Sequence, residues 1–353
     1  MVSIEGVPGY PPRAPFLVDT DTLSSTPMPG AAMETADRYR NFAEREVRGY
    51  SPCYEAWALG IAGDAELLAL IDTLPVYKRQ PNLILGAARF LGVTPGPFEE
   101  FKDFLITNWA DVHEVAMTRR TQTNEVGRTA ALLPLLAKYG PNPVALIEFG
   151  TSAGLCLYPD RYSYRYDDGP ILDPHDGRST VVLDCATTGN PPLPTELPNV
   201  VYRAGIDLNP LDVSNPEDVR WLESLVWPEQ RNRLERLHNA AEIARKDPPR
   251  LLRGDLLTGL PAFILEAPPD IPVIVFGSAV LLYLSRSDRQ AVPEMMRSLG
   301  CDWITNESPG VVDFRGLETP PGPADVHLVL ASNGEPVAFS RPHGQTLDWF
   351  GKS

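Results

Sequence analysis

The spacing of apolar residues divides the chain into a helical part and a part that contains strands. From about residue 35 to residue 138, apolar side chains recur every three or four positions, and the alternation typical of strands is nearly absent. The predicted helices cover 35–47, 54–61, 64–74, 82–91, 97–108 and 123–138. We therefore expect an all-helical N-terminal domain over residues 33–140.

After Gly140-Pro141, apolar runs of strand length alternate with helical patterns. The predicted strands cover 144–149, 200–206, 249–253, 272–276, 301–305, 325–331 and 336–340. The predicted helices lie near 215–224, 229–245, 256–266, 278–283 and 286–299. Such alternation is typical of a mostly parallel, doubly wound sheet, and Asn333-Gly334 between the last two strands predicts a hairpin. We expect an α/β fold with a Rossmann-like, seven-stranded, mostly parallel sheet over residues 141–353.

Two segments fall outside this alternation. Residues 1–32 are rich in Pro, Gly, Ser and Thr and show no period, which predicts a disordered or extended arm. A second segment, at about 160–190, holds the alternating aromatic and polar run 161–169 and the run 179–184. We interpret it as an inserted β-hairpin that either shapes the substrate pocket or only covers an edge of the sheet.

Composition argues against several classes of function. The net charge of −15, from 46 acidic and 31 basic residues, disfavours nucleic acid as the main partner because phosphate binding needs a basic surface. No apolar run approaches the ~18 residues of a membrane span, and the N-terminus lacks the pattern of a signal peptide. The four cysteines are far apart and no His or acidic cluster has metal-ligand spacing, so we expect reduced thiols, no metal and a cytoplasmic protein.

The candidate chemistry begins at the end of the first predicted strand. Residues 144–154 read Val-Ala-Leu-Ile-Glu-Phe-Gly-Thr-Ser-Ala-Gly, which is typical of a buried parallel strand that ends in an acid and opens into a turn of small residues. Glycine in such a turn lets the backbone bend tightly and approach a ligand. The candidate binding residues of this turn are Glu148, Gly150, Thr151, Ser152 and Gly154.

Acids also follow two further predicted strands, Asp207 after the second and Asp255 after the third. Because ligands of open α/β sheets bind outside the carboxyl ends of the strands, we expect Asp207 to accept hydrogen bonds from ribose hydroxyls. The next residues along the chain, Leu208 and Leu256, and Ser278 after the fourth strand are expected beside the same ligand. An acid at a strand end can instead cap the next helix, and this alternative stays open for each acid.

The polar segment 118–128 is the second informative stretch. We expect Thr123 to cap the helix that follows, and Gln122 or Arg128 to hold the carboxylate of an amino-acid ligand. The same polar groups are costly to bury without partners, so they could instead pin the helical domain to the sheet. Glu307, after the fifth strand, and His343, after the last, are candidates for a catalytic base or for holding a substrate amine, with a structural role as the alternative.

These motifs resemble those of known proteins. The acid-x-Gly-x-small-x-Gly turn resembles the first motif of class I S-adenosylmethionine (SAM) methyltransferases. Longer motifs at 121–128, 205–213, 253–255 and 342–344 resemble a bacterial, mainly actinobacterial, family of unknown function over roughly residues 36–350. The resemblance implies a Rossmann-like fold similar to that of SAM methyltransferases and no particular substrate. It places Asp255 near the adenine amine and Ser278 where acceptor and methyl donor meet.

Two residues depart from the family pattern, because Cys156 stands where Asn is usual and Gly277 stands where His is usual. We expect a SAM-dependent methyltransferase that uses SAM as cofactor and acts on a small molecule, with the acceptor and the oligomeric state left open. A nicotinamide-dependent oxidoreductase is the alternative, although the acid expected ~20 residues after the glycines is missing. A non-catalytic Rossmann-like binding protein is a third interpretation, which Gly277 favours. The predicted cofactor-binding residues are Gln122, Arg128, Glu148, Gly150, Thr151, Ser152, Gly154, Asp207, Leu208, Asp255, Leu256 and Ser278.

Overall fold

An eleven-stranded sheet forms the centre of the computed structural model, which describes residues 34–314, 316–320 and 327–351. The strands are β1 (Pro143–Phe149), β2 (Ser163–Tyr166), β3 (Ile171–Leu172), β4 (Val182–Thr188), β5 (Asn199–Asp207), β6 (Arg250–Arg253), β7 (Val273–Ser278), β8 (Asp302–Glu307), β9 (Leu328–Ser332), β10 (Glu335–Ser340) and β11 (Thr346–Trp349). Their spatial order is β3-β2-β4-β11-β10-β9-β8-β7-β1-β5-β6.

Five neighbouring strands, in the order β6-β5-β1-β7-β8, are all parallel. The chain builds outward from β1 through β5 to β6, and then returns to the other side of β1 to form β7 and β8. The position between β1 and β7 is therefore the topological switch point, where open α/β sheets form a ligand crevice. The parallel pairing in this half agrees with the predicted mostly parallel sheet.

The other half of the sheet corrects the prediction of seven strands. Strands β9, β10 and β11 form an antiparallel meander beside β8, and β4 then pairs in parallel with β11. The predicted insertion at about 160–190 supplies β2, β3 and β4. Only β2 and β3 form a hairpin, whereas β2 and β4 are parallel. The insertion thus lengthens the sheet at one edge, and β11 is a strand that the apolar pattern did not predict.

The helices of the described ranges agree with most of the predicted segments. They are α1 (Thr35–Asn41), α2 (Pro52–Gly63), α3 (Ala65–Ile71), α4 (Pro81–Phe90), α5 (Phe98–Thr107), α6 (Trp109–Thr118), α7 (Arg128–Leu136), α8 (Pro216–Leu225), α9 (Arg231–Lys246), α10 (Leu256–Ile264) and α11 (Arg286–Leu299). A π-helical turn, Phe42–Val47, continues α1, and short 3₁₀ turns cover Val76–Lys78, Leu155–Leu157 and Leu281–Tyr283. None of these helices is long and apolar enough to cross a membrane.

Two features of the helical part differ from the prediction, and two predicted segments reach outside the described residues. Helix α6 was missed, since only Val112 and Ala116 of its side chains are buried and its apolar stripe is thin. The helix predicted at 123 begins at Arg128 with Gly127 as its N-cap, so Thr123 is not a cap. The predicted arm, 1–32, lies outside the described residues, as do residues 325–326 of the predicted strand 325–331.

The helical part packs directly on the sheet domain through α4 and α8. The ring of Phe90 meets the ring of Trp221 edge to face with centroids 5.8 Å apart, and Arg89 donates to the carbonyl oxygen of Ser224 at 3.1 Å. Trp221 is fully buried, and burying a large apolar side chain is worth ~1.5–3 kcal/mol. One continuous core therefore runs from the helices into the sheet. The domain boundary at residue 140 stays a prediction.

Candidate functional site

A crevice of about 1470 Å³ opens at the switch point of the sheet. Its floor comes from residues at or just after the ends of β1, β5, β6 and β7, namely Gly150, Asp207, Gly254 and Ser278. One wall is formed by side chains of the helical part, and another by α11. The crevice exceeds the ~300–1,000 Å³ typical of a site for one drug-sized ligand, so it has room for two small molecules.

The turn after β1 is tight, as its sequence predicts, and its backbone is left-handed at three positions. Gly150 has a φ of 65°, and a Cβ there would lie 2.3 Å from a side-chain carbon of Val280. Ser152 has a φ of 50°, a conformation that costs a non-glycine residue ~1–2 kcal/mol. Gly154 also has a positive φ, but it faces Pro249 and Leu251 rather than the crevice. Only Gly150 and Ser152 of this turn line the crevice.

Asp207 holds this turn from the neighbouring strand. Its two carboxylate oxygens accept hydrogen bonds from the backbone N–H of Ser152 at 2.9 Å and from that of Asn209 at 2.7 Å. A carboxylate has about four lone-pair sites, so two remain beyond these bonds. Asp207 lines the crevice together with Leu208. It therefore organises the turn and still offers acceptors to a ligand.

Asp255 fulfils the alternative role of an acid at a strand end, because it caps helix α10. Its Oδ1 accepts from the N–H of Leu257 at 3.0 Å and from that of Thr258 at 3.2 Å. Within the described ranges its Oδ2 has no hydrogen-bond partner, and both Asp255 and Leu256 line the crevice. The backbone N–H of the adjacent Gly254 donates to the carbonyl oxygen of Asp207 at 2.9 Å, and this bond joins the loop that carries Asp255 to the loop that carries Asp207. Capping and ligand binding are thus compatible at this residue.

Glu148 lies beneath the turn rather than along the crevice. Its carboxyl group is buried and accepts a hydrogen bond from the hydroxyl of Thr151 at 2.9 Å. Burial raises the pKa of Glu148 to about 8, against the opposing effects of the Thr151 bond and the charge of Arg128. The group is therefore mostly protonated at neutral pH. Thr151 is itself buried, and neither residue lines the crevice.

The polar segment before α7 both lines the crevice and ties the helical part to the sheet. Gln122 lines the crevice and donates to the carbonyl oxygen of Asn209 at 2.8 Å. Arg128 lines it too, and donates from Nε to the carbonyl oxygen of Pro342 and from Nη1 to that of Ser278, both at 2.9 Å. Its Nη2 has no hydrogen-bond partner within the described ranges. Both interpretations of this segment therefore agree with the geometry.

Neither candidate catalytic residue lines the crevice. Glu307 is fully buried, and its Oε1 accepts from the N–H of Val280 at 2.9 Å and from that of Leu281 at 3.1 Å. Burial raises the pKa of Glu307 to about 7, and its Oε2 has no partner in the described part of the chain. Glu307 thus supports the loop after β7, and that loop borders the crevice.

His343 lines a separate depression of about 670 Å³ with Gly127 and Arg236. Burial lowers the pKa of His343 to about 4, and the positive charge of Arg233 acts in the same direction. The imidazole is therefore neutral at physiological pH. The Pro342-His343-Gly344 motif reaches the crevice only indirectly. The carbonyl oxygen of Pro342 accepts a hydrogen bond from Arg128, and it is Arg128 that borders the crevice.

Lys78 and Arg120 line the crevice but were missed by the sequence reasoning. Lys78 lies in a short 3₁₀ turn before α4, and Arg120 lies in an irregular segment after α6. The positions of both residues depend on how the helical part packs against the sheet, and no local sequence pattern predicts that packing. For Lys78 the only hint was the polar cluster Tyr77-Lys78-Arg79-Gln80 just before the Pro that opens α4, whereas Arg120 belongs to the polar segment 118–128, in which only Gln122 and Arg128 were named as binding residues. In the described ranges, no group of three or more His, Cys, Asp or Glu residues could hold a metal ion.

The structure gives a packing reason for Gly277. A Cβ at this position would lie 2.2 Å from the ring of Phe149, far inside van der Waals contact. A histidine at 277 therefore requires a different residue or position at 149. Cys156 is buried and its thiol contacts the carbonyl oxygen of Glu125 at 3.6 Å. Both departures are thus accommodated by local packing.

A bacterial protein family matches residues 36–349, which includes the helical part, the turn after β1 and the Pro342-His343-Gly344 motif. The chain belongs to this family, DUF2332, described as an uncharacterized protein conserved in bacteria. The predicted membership of a bacterial family of unknown function is thereby confirmed. A comparison with curated proteins finds no match. The likeness to SAM methyltransferases stays a prediction for this DUF2332 protein.

Proposed function

We propose that this DUF2332 protein is a SAM-dependent methyltransferase that acts on a small-molecule acceptor. The observation that carries the proposal is that Asp207 and Asp255, from two neighbouring strands, line one crevice with the left-handed glycine turn at Gly150. Convergent polar groups in a large crevice at a switch point are the expected mark of a ligand site in an open α/β sheet.

The residues present fit a nucleoside ligand that carries an amino acid. Asp207 has acceptor sites left for ribose hydroxyls, and Asp255 has its Oδ2 left for the adenine amine. Leu208 and Leu256 supply apolar surface beside these acids. Arg128 has Nη2 left for a carboxylate, a task for which guanidinium is well suited. Each group would thus contact a different part of SAM.

When bound, SAM would supply a methyl group: an acceptor lone pair forms the new bond to the methyl carbon, the carbon–sulfur bond breaks, and its electron pair stays on sulfur. The chain's own contribution is positioning. The left-handed turn, fixed by Asp207, would hold the nucleoside, while Glu307 keeps the loop around Val280 in place beside it. Holding two reactants in line can supply much of a rate enhancement, so no catalytic base is assigned.

One feature of the fold disfavours the nicotinamide alternative. A dinucleotide site places the pyrophosphate at the N-terminus of the helix that follows the glycine turn. Here residues 150–162, all of them described, hold only the 3₁₀ turn Leu155–Leu157. The turn therefore lacks a helix N-terminus for a pyrophosphate, whereas SAM carries no phosphate.

We also propose a cytoplasmic location and small molecules, rather than nucleic acid or membrane, as partners. All four cysteines are free, and two of them, Cys156 and Cys185, are buried, which agrees with a reducing compartment. The net charge of −15 would repel a polyanion.

Calorimetry with SAM, S-adenosylhomocysteine and NADH tests the proposed function. We expect both sulfur nucleosides to bind and NADH not to bind. Absence of heat from both sulfur nucleosides at millimolar concentration would overturn the proposal, and binding of NADH alone would favour the oxidoreductase.

A pair of variants ties the binding to the crevice. Asp255→Asn keeps a good helix cap but removes a charged acceptor, so it should weaken SAM binding by about tenfold without loss of stability. Asp270→Asn, at an exposed position outside the crevice, is the matched control and should bind as the wild type does.

A further inference from the structure

The wall of the crevice that the helical part supplies carries two neighbouring positive side chains, Lys78 and Arg120, here called the cationic wall. The nucleoside residues proposed above, Asp207 and Asp255, are acidic and come from the sheet. The crevice thus carries acidic residues on the side of the sheet and basic residues on the side of the helical part. Its volume of about 1470 Å³ leaves space beside a nucleoside for a second molecule.

Lys78 is a buried cation with few partners. The residue is 7% exposed, and its ammonium group donates to the carbonyl oxygen of Arg119 at 2.7 Å. Burial lowers the pKa of Lys78 to about 8, with the charge of Arg120 acting in the same direction. It is therefore still mostly charged at neutral pH. A buried lysine is normally paired with a carboxylate, but in the described residues none is bonded to this one.

The backbone of Arg120 is hydrogen-bonded, whereas its side chain has no partner among the described residues. Its carbonyl oxygen accepts from the indole N–H of Trp221 at 3.0 Å, while its guanidinium forms no hydrogen bond or ion pair within the described ranges. The adjacent Arg119 differs, because it pairs with Asp218 at 2.6 Å. Two close positive charges without a carboxylate repel each other, and an anion between them would relieve that repulsion.

The amide of Gln80 completes the wall. The hydroxyl of Thr121 donates to the Oε1 of Gln80 at 3.0 Å, so the remaining polar atom of that amide, Nε2, is a donor. Gln80 and Thr121 both line the crevice. This part of the crevice therefore combines N–H donors with two positive charges, which is how proteins bind carboxylate and phosphate groups.

We propose that Lys78 and Arg120 bind an anionic group, a carboxylate or a phosphate, on the second small molecule that enters the crevice. The identification of that molecule as the methyl acceptor rests on the proposed function. The anion site itself does not depend on it. The acceptor class is then a small acid or a phosphate ester rather than a neutral or cationic compound.

Calorimetric titration of the full chain with inorganic phosphate and with citrate, at constant ionic strength, tests the site and distinguishes the two chemistries. We expect one of these anions to bind the wild type. Arg120→Gln should weaken that binding by about tenfold, as the loss of one charge-assisted contact would. Arg178→Gln, at an exposed position outside the crevice, is the matched control and should leave binding unchanged.

Lys78→Met provides a second, independent variant, which should also weaken anion binding. Because Lys78 is buried, its loss affects packing as well as charge, whereas Arg120 is exposed and Arg120→Gln should fold normally. Binding of neither anion, or equal binding by wild type and Arg120→Gln, would overturn the inference. If SAM fails to bind while an anion binds in an Arg120-dependent way, the proposed function fails and the anion site stands. If SAM binds and Arg120→Gln has no effect on either anion, only this inference fails.

Discussion

Asn124 accepts a hydrogen bond from the backbone N–H of Ala153 at 3.1 Å, and its side-chain amide donates to the hydroxyl of Ser152. Asn124 belongs to the polar segment before α7 in the helical part, whereas Ser152 and Ala153 belong to the glycine turn after β1. Asp207 binds the same turn from the neighbouring strand. The turn is therefore held by residues from both parts of the chain, and its strained conformation at Ser152 depends on both.

Asn124→Ala should destabilise the protein and weaken SAM binding, because it removes both hydrogen bonds to the turn. The loss of a partly buried pair of bonds should lower the free energy of unfolding by about 1–3 kcal/mol in urea denaturation. Asn232→Ala, at an exposed position in α9, is the control and should leave stability unchanged or slightly higher. If Asn124→Ala binds SAM as tightly as the wild type does, the turn is not held by this residue.

The sequence predicted the parallel part of the fold well, because buried parallel strands are continuous apolar runs. The runs at 144–149 and 272–276 became β1 and β7 with boundaries displaced by at most two residues. The alternation at Thr346–Trp349 is only four residues long and was missed, although it forms β11 between two longer strands. The insertion was recognised from its aromatic alternation, but the parallel pairing of β2 with β4 has no local signal.

The candidate site was predicted where strand ends define it and missed where packing defines it. Asp207 and Asp255 meet at the crevice because the carboxyl ends of parallel strands lie at one edge of the sheet. Lys78 reaches the same crevice only because α4 packs on α8. No local pattern predicts such an approach.

The close contact between Gly277 and Phe149 predicts coupled substitutions. Gly277→Ala alone should lower the free energy of unfolding by about 1–3 kcal/mol, since the added Cβ overlaps the Phe149 ring. Phe149→Leu should absorb part of that cost, so the double variant should be more stable than the sum of the single effects indicates. Urea denaturation of the four proteins measures this coupling. Strict additivity would show that the ring and the glycine do not compete for the same space.

The close contact between Gly344 and Gly127 predicts how much stability is lost when the motifs at 342–344 and 121–128 are pushed apart. Gly344 has a φ of 74°, and a Cβ there would lie 1.9 Å from the carbonyl oxygen of Gly127. Gly344→Ala should therefore displace Gly127 and, through it, the neighbouring Arg128. Gly49 has a φ of 80°, and no described atom lies within 4 Å of the place that its Cβ would take, so Gly49→Ala measures the backbone strain alone.

We expect Gly49→Ala to cost about 1 kcal/mol and Gly344→Ala at least ~2 kcal/mol more, from thermal or urea denaturation. Gly344→Ala should also weaken SAM binding, because Arg128 lines the crevice. Equal losses of stability in the two variants would mean that the contact between the two motifs has no energetic role.

The buried carboxyl of Glu148 predicts how stability depends on pH. Its folded-state pKa is raised to about 8 by burial, whereas an unfolded glutamate titrates near ~4.3. Between these values the folded state binds more protons than the unfolded state. Stability contributed by this group is therefore full below pH ~4.3 and declines as pH rises towards ~8. Glu307, with a pKa raised to about 7, acts in the same direction over a narrower range.

Glu148→Gln keeps an acceptor for the Thr151 hydroxyl and removes the titration. The variant should lose less stability than the wild type between about pH 5 and pH 8, with a gain relative to wild type of up to several kcal/mol at the upper end, since one pKa unit corresponds to ~1.4 kcal/mol. Glu307→Gln serves as the comparison and should have a smaller effect that ends near the pKa of Glu307, about 7. Urea denaturation across this pH range measures both. Parallel stability curves for wild type and Glu148→Gln would show that Glu148 is already ionised in the folded protein, so that a negative charge rather than a neutral carboxyl group lies beneath the glycine turn.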